Sequence, residues 1–316
     1  MVQIPCACGW ELEVDRGPDW LFIRPRCAAH APHDALEFSE QVWTLVEQSF
    51  THRLVLELTE TAVVERSDET LAALQRLARH DLLPDVVRLS DADETKANLM
   101  MASGAGAKAL RASLRTRGHG EGCLLVVGWE GLPALIRARQ REASSLLREG
   151  GAIRLGRRVG DSWKKHRFQG PYVRDRLMDG GLLVETLETA ATWSALPTVY
   201  DAVRRALRET LTRAGRAPLV MTHVSHGYPT GASLYFTVLA DRDDDLPIQQ
   251  WLSAKRAATD AMLAAGGTLT HHHAVGADHR PWLEREIGPL GVEVLKAVKQ
   301  RLDPKGICNP GVLLPE

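Results

Sequence analysis

Three histidines stand in a row at His271, His272 and His273, inside the stretch GGTLTHHHAVGADHRPW (266–282), with a fourth at His279. Imidazole titrates near neutrality, so such a run suits proton transfer, and it is also a ligand type for zinc. Gly266, Gly267 and Gly276 flank the run, and glycine lets the backbone come close to a ligand. An expression tag does not fit an internal position. The plain alternative is a surface cluster of histidines in a loop. If TLT at 268–270 is a short strand that continues, His271 and His273 share one face and His272 takes the other. The run alone then cannot surround one ion. A metal would need two of these histidines with His279 or His223, and the expectation is no metal site.

Bulk properties exclude several classes of function. The chain has 316 residues, 44 % hydrophobic and 25 % charged, with a formal net charge of −1. That is enough to bury a core in one large domain or two. The balanced charge gives no field for nucleic acid or anionic lipid, and no basic, aromatic-interleaved stripe supports nucleic-acid binding. No window is long and apolar enough to span a bilayer. The opening MVQIPCACGWELEVD lacks the basic start and apolar run of a signal peptide. Five scattered cysteines, Cys6, Cys8, Cys27, Cys123 and Cys308, read as reduced thiols of a cytoplasmic protein. Cys6-x-Cys8 is half of a zinc site without a second ligand pair at finger spacing, so a structural role is expected for it. No HExxH-like spacing points to a metal hydrolase.

The elements that must position these groups follow from periodicity. In the first sixty residues, WELEV alternates, WLFIRPR follows a Gly-Pro turn, and ALEFSEQVWTLVEQSF repeats apolar residues at helical spacing. RLVLEL at 53–58 completes a β-β-α-β order. The character changes near residue 65. SDETLAALQRLARHDLL predicts a helix with Ser67 at its N-cap and Leu71, Leu74 and Leu77 on one face. LPDVVRLSD predicts a strand carrying Arg88, and CLLVVGWEG a buried strand. GLPALIRARQREASSLLREGG predicts a helix closed by Gly150 and Gly151. GLLVETLETAATWSALPTVYDAVRRALRETL predicts a strand, a loop and a long helix. APLVMTHVSHGYPTGASLYFTVLAD predicts two strands joined by a turn at 227–231. The last helix stops before Pro304 and an extended tail follows. Strand-helix-strand pieces with a late hairpin argue for an α+β fold, an antiparallel sheet with helices on one face.

Two resemblances emerge from these segments. The β-β-α-β order of residues 1–65 resembles a partial STAS-type domain. GGTLTHHHAVGADHRPWL and VLKAVKQRLDPKGICNPGVLLP make residues 66–316 resemble the C-terminal cap, or substrate, domain of FAD-linked oxidases of the vanillyl-alcohol oxidase type. The triple histidine is the form seen in alkylglycerone-phosphate synthases (alkyldihydroxyacetonephosphate synthases), with Ala274 replacing the usual glycine; D-lactate and glycolate dehydrogenases carry Gly-Glu-His there. The resemblance implies FAD as cofactor, with Tyr235, His271, His272 and His273 as catalytic residues. It places Arg174 and Arg88 at the substrate phosphate, and His272, His273 and Asn309 at the cofactor. Taken without it, the two arginines are ordinary ion-pair residues, Tyr235 is a core tyrosine with its hydroxyl satisfied, and Trp193 packs.

The implied activity is exchange of the acyl chain of acyl-dihydroxyacetone phosphate for a fatty alcohol, a step in ether lipid biosynthesis, with no net redox change. Arginine suits the phosphate because it meets its oxygens bidentately. Oxidation of a 2-hydroxy acid such as D-lactate is the alternative within the superfamily, and the absent Gly-Glu-His motif counts against it. A non-enzymatic STAS-like interaction module fused to a degenerate cap is the alternative outside it. The family binds FAD mainly through an N-terminal domain with a glycine-rich pyrophosphate loop, and no such stretch stands in this sequence. Whether the chain is itself an enzyme therefore turns on where the flavin is held. The partners expected are a lipid phosphate and a separate FAD-binding chain, with a homodimer allowed.

Overall fold

The computed structural model describes residues 2–5, 11–16, 21–26, 57–64, 67–102, 105–168 and 170–314. The chain divides into two compact units, 1–54 and 55–316. In the first, β1 (Val2–Pro5), β2 (Glu11–Arg16) and β3 (Leu21–Arg26) form an antiparallel meander. Val14 stands opposite both Val2 and Ile23, which carries the alternation of ELEV across the three strands. The helix expected near 35–50, on which the STAS-type reading depends, lies outside the described residues, as do Cys6 and Cys8.

The second unit opens with β4 (Glu57–Val64). A strand was expected at 53–58 within the first unit, with the boundary at 65/66. The ladder of β4 is instead made by β6 (Cys123–Trp129) on one side and β7 (Ile153–Arg154) on the other. A strand belongs where its backbone groups are paired, so the division falls before it, at 54/55. With β5 (Val86–Ser90), β8 (Leu182–Thr192), β9 (Leu219–Val224) and β10 (Gly231–Asp241), these strands form one sheet in the order β7-β4-β6-β5-β9-β10-β8. Every pair in it is antiparallel.

Nine α-helices lie among the described residues. They are α1 (Ser67–Arg79), α2 (Ala92–Met101), α3 (Ala105–Thr116), α4 (Pro133–Glu149), α5 (Arg157–His166), α6 (Gly170–Asp179), α7 (Leu196–Leu211), α8 (Pro247–Ala264) and α9 (Leu283–Leu302). The core lies between one sheet face and the helices α1, α4, α7 and α8. Leu74, Leu77, Ile136, Val199, Val203 and Ala258 meet Leu89, Leu125, Leu187, Val220, Leu234, Phe236 and Val238 there. This is the α+β arrangement, helices against one face of an antiparallel sheet, that the pattern predicts. Burying one such aliphatic or aromatic side chain contributes about 1.5–3 kcal/mol. No helix of the described residues is long and apolar enough to cross a membrane.

Two departures concern the end of the chain. The TLT segment is not a strand. Thr268 N–H donates to the Ala190 carbonyl, but the return bond from Ala190 N–H goes to the Thr268 hydroxyl, so no ladder propagates. The tail after α9 is a series of turns rather than an extended run, with Asn309 and Leu313 in the left-handed region.

A buried polar clamp ties the sheet to α7. The Asp91 carboxylate caps α2 by accepting the Glu94 N–H at 2.8 Å, and it also accepts from the Tyr200 hydroxyl at 3.0 Å and from Arg204 at 2.6 Å. Its own N–H donates to the Thr222 carbonyl of β9. Burial raises the Asp91 carboxyl, and the cap bond and the Arg204 charge work against that rise. Asp91→Ala would leave Arg204 buried without this partner. A loss of about 3–5 kcal/mol is expected in urea unfolding, and a loss below about 1 kcal/mol would contradict the clamp.

Candidate functional site

The face of the sheet opposite the helix core carries the polar residues. Along β8, Leu183, Leu187 and Thr189 turn to the helices and Glu188 turns away. The registers then align three side chains across three strands: His223 of β9 lies opposite Tyr235 of β10, which lies opposite Glu188 of β8. The His223 and Tyr235 rings stack with centroids 4.9 Å apart. At the next strand, Arg88 of β5 donates to His223 Nε2 at 3.0 Å and to Glu94 Oε1 at 2.6 Å. Arginine only donates, so His223 Nε2 accepts, and its Nδ1–H donates to the same Glu94 oxygen at 3.1 Å.

The triple histidine reaches this row from the loop after α8. Leu269 is fully buried and anchors the loop, with Thr268 tied to β8. His272 then adopts a left-handed backbone, φ 55°, which folds the run back on itself. Strand alternation would have separated the three rings; this turn gathers them. His271 Nδ1 meets Glu188 Oε1 at 3.2 Å, and His273 Nε2 meets Glu188 Oε2 at 3.3 Å. The His273 ring stands edge-on to Tyr235 at 6.0 Å. His271 and His272 both present Nε2 to the Tyr228 hydroxyl, at 2.9 and 3.3 Å.

Tyr228 comes from the turn of the β9–β10 hairpin, beside His226. Only glycine fits at Gly231, where a Cβ would lie 2.1 Å from the Ala191 carbonyl oxygen. Trp193 packs against the core and its ring N–H holds the same turn through the Pro229 carbonyl. Ser225 donates to Glu188 at 2.8 Å, and its hydroxyl is 2.7 Å from that of Ser233.

The electrostatics separate the two ends of the row. At Glu94 burial alone would raise the carboxyl. The neighbouring His223 and Arg88, with the hydrogen bond from His223, outweigh it and hold the group at about 2. His226 is pushed below the usual imidazole value, first by the partial loss of solvent around its ring and then by the neighbouring His272 and His271. The site therefore pairs a firmly ionised carboxylate with imidazoles clustered around a second carboxylate, Glu188. Such a surface can hold an anion at Arg88 and move protons through tyrosine and histidine.

Of the residues singled out in the sequence, Tyr235, His271, His272, His273 and Arg88 meet on this face. Arg174 does not join them: it is exposed on α6 and bonds the adjacent Asp175 at 2.9 Å. Asn309 is exposed in the tail, which is tied to the histidine loop by Leu313 N–H to Gly276 and Arg280 to Gly311. Glu188, Glu94, His226 and Tyr228 escaped the sequence reading. The only signal for Glu188 was a charge in an apolar strand, and Glu185, three residues earlier, gives the same signal while facing the helices at Trp251.

The chain belongs to the family of FAD linked oxidases, C-terminal domain, whose model matches residues 57–313. It is 28 % identical over 254 residues to an alkyldihydroxyacetonephosphate synthase of Dictyostelium discoideum, covering 78 % of this chain and 42 % of the relative. It is 30 % identical over 252 residues to the synthase of Trypanosoma brucei brucei, covering 77 % and 41 %. A solved alkyldihydroxyacetonephosphate synthase shares the fold with a TM-score of 0.65 and 24 % identity, over 81 % of this chain and 45 % of that one. The chain thus spans less than half the length of these relatives.

The ionised state of Glu94 has a measurable consequence. Its folded pKa lies below its ordinary 4.5, so its stabilisation is complete above pH 4.5 and is lost as pH falls toward 2. The loss expected across that window is on the order of 3 kcal/mol. It would be read as the pH dependence of urea unfolding, and Glu94→Gln should flatten it. An equal slope in both proteins would contradict the assignment.

Proposed function

We propose that this chain is the substrate half of an FAD-dependent, alkylglycerone-phosphate synthase-like enzyme. It would exchange the acyl chain of acyl-dihydroxyacetone phosphate for a fatty alcohol. The observation that carries the reading is the convergence of Tyr235 with His271, His272 and His273 on the face that also holds Arg88. The names of the relatives support it.

The described residues suit the ring end of a flavin. They offer an open face with a tyrosine and three imidazoles, which can donate to or accept from ring heteroatoms. The pyrophosphate end needs a glycine-rich cradle that these residues do not form. FAD therefore needs further contacts from outside the matched region, which a separate FAD-binding chain could supply. An apolar stripe on α9, Leu290, Val294, Val298 and Leu302, is exposed at helical spacing, as a docking surface for such a partner would be. When bound, FAD would supply the electron-accepting ring for the exchange.

The roles of the chain's own residues follow from their surroundings. Tyr235 and the histidines would take the proton from the substrate carbon and return it there once the fatty acid has left as its carboxylate and the alcohol oxygen has taken its place, and would accept the proton that the alcohol gives up, with Glu188 orienting His271 and His273. Arg88 holds substrate anion. The phosphate role of Arg174 requires α6 to meet the substrate from its exposed side.

The test supplies FAD to the purified protein with its flavin-binding partner. Labelled fatty alcohol should enter the ether product while fatty acid is released. Tyr235→Phe should lower turnover by about 10²–10⁴-fold. Oxidation of D-lactate with no alcohol incorporation would overturn this reading in favour of the 2-hydroxy-acid one, and undiminished exchange by Tyr235→Phe would remove Tyr235 from the chemistry.

A further inference from the structure

We propose a zinc-type metal site formed by His226, His271 and His272, with the Tyr228 hydroxyl as fourth ligand. One ring nitrogen from each of the three histidines lies within 4.8 Å of those of the other two. The ring centroids confirm the clustering, at 4.1 Å for His271–His272, 4.7 Å for His226–His272 and 5.3 Å for His226–His271. Tetrahedral zinc with bonds of about 2.0–2.1 Å needs ligand atoms roughly 3.3 Å apart. Small side-chain rotations therefore close the site, and His226 and His272 are exposed and free to make them.

Three further features point to a metal rather than to a chance cluster. The Tyr228 oxygen already bridges His271 Nε2 and His272 Nε2, at 2.9 and 3.3 Å, so an oxygen ligand stands in place. Glu188 is buried and meets His271 Nδ1 at 3.2 Å. A carboxylate there holds the proton on Nδ1, leaves Nε2 unprotonated and orients the ring, as the partners of metal-bound histidines do. The ligand set comes from two rigid anchors, the β9–β10 turn and the loop fixed by Leu269. Three nitrogens and one oxygen suit zinc and disfavour calcium or magnesium, which take oxygen ligands.

The site has a regulatory consequence. Zinc and proton transfer would compete for His271 and His272, so metal binding would silence the histidines assigned above to catalysis. The site itself rests on geometry and does not require the flavin reading.

The test uses the full chain with Co²⁺ as probe and no flavin or substrate. One equivalent should bind with the intense visible bands of tetrahedral cobalt, and Zn²⁺ should displace it. His226→Gln and His272→Gln, each at an exposed position, should weaken binding at least tenfold with the far-UV circular dichroism unchanged. His166→Gln, exposed at the end of α5, should leave it unaltered. A pale octahedral spectrum, binding indifferent to His226→Gln, or thiolate charge-transfer bands alone, which would put the metal on cysteine, would each overturn the site. Because no flavin enters the experiment, its failure would leave the exchange reading standing.

Discussion

The pairing register of β8, β9 and β10 is the constraint on which the site depends. It sets His223, Tyr235 and Glu188 opposite one another on one face and Leu187, Phe236 and Val238 on the other. Side chains alternate with a period of two, so a slip of one residue would bury the polar row against α7 and α8 and expose the apolar one. The hydrophobic demand of the core therefore fixes the geometry of the polar row. The close approach of Gly231 to the Ala191 carbonyl pins the register at the turn, where any larger residue would force the strands apart.

Around that row, two carboxylates divide the work. Glu94 is buried between Arg88 and His223 and stays ionised, giving the β5 end a fixed charge pattern. Its place depends on Asp91, whose carboxylate starts α2 and locks it to α7 through Tyr200 and Arg204. Glu188 stands at the other end and organises the histidine loop, which has little regular structure of its own. A loop held by one buried leucine, a pair of threonine bonds and a carboxylate can be accurate where a strand would have splayed the imidazoles.

Much of this was legible in the sequence. The hairpin from APLVMTHV to SLYFTVLAD, the helices over 133–149 and 196–211, and the strand carrying Arg88 follow from periodicity and turn residues. The run His271–His273 stands out by composition, whereas Tyr235 follows only from the family resemblance. What was not legible depended on partners distant in sequence. Of RLVLEL only Glu57 and Leu58 are described, and their unit is decided by β6, some seventy residues on. TLT reads as a strand, yet Thr268 uses its hydroxyl where a ladder bond would be. Glu185 and Glu188 look alike until the register assigns them to opposite faces. Arg174 follows from the family likeness alone, since local sequence carries no sign of its exposed place on α6 beside Asp175.

We propose that this face meets the ring of a flavin. The most direct measurement is the visible absorption and fluorescence of FAD titrated with the purified chain, followed by gel filtration. The expected result is a shifted, quenched flavin spectrum on mixing, from contact with Tyr235, and weaker quenching by Tyr235→Ala. Flavin should stay with the protein through filtration only when a flavin-binding partner is present. A flavin spectrum unchanged at saturating protein, or quenching indifferent to Tyr235→Ala, would contradict it.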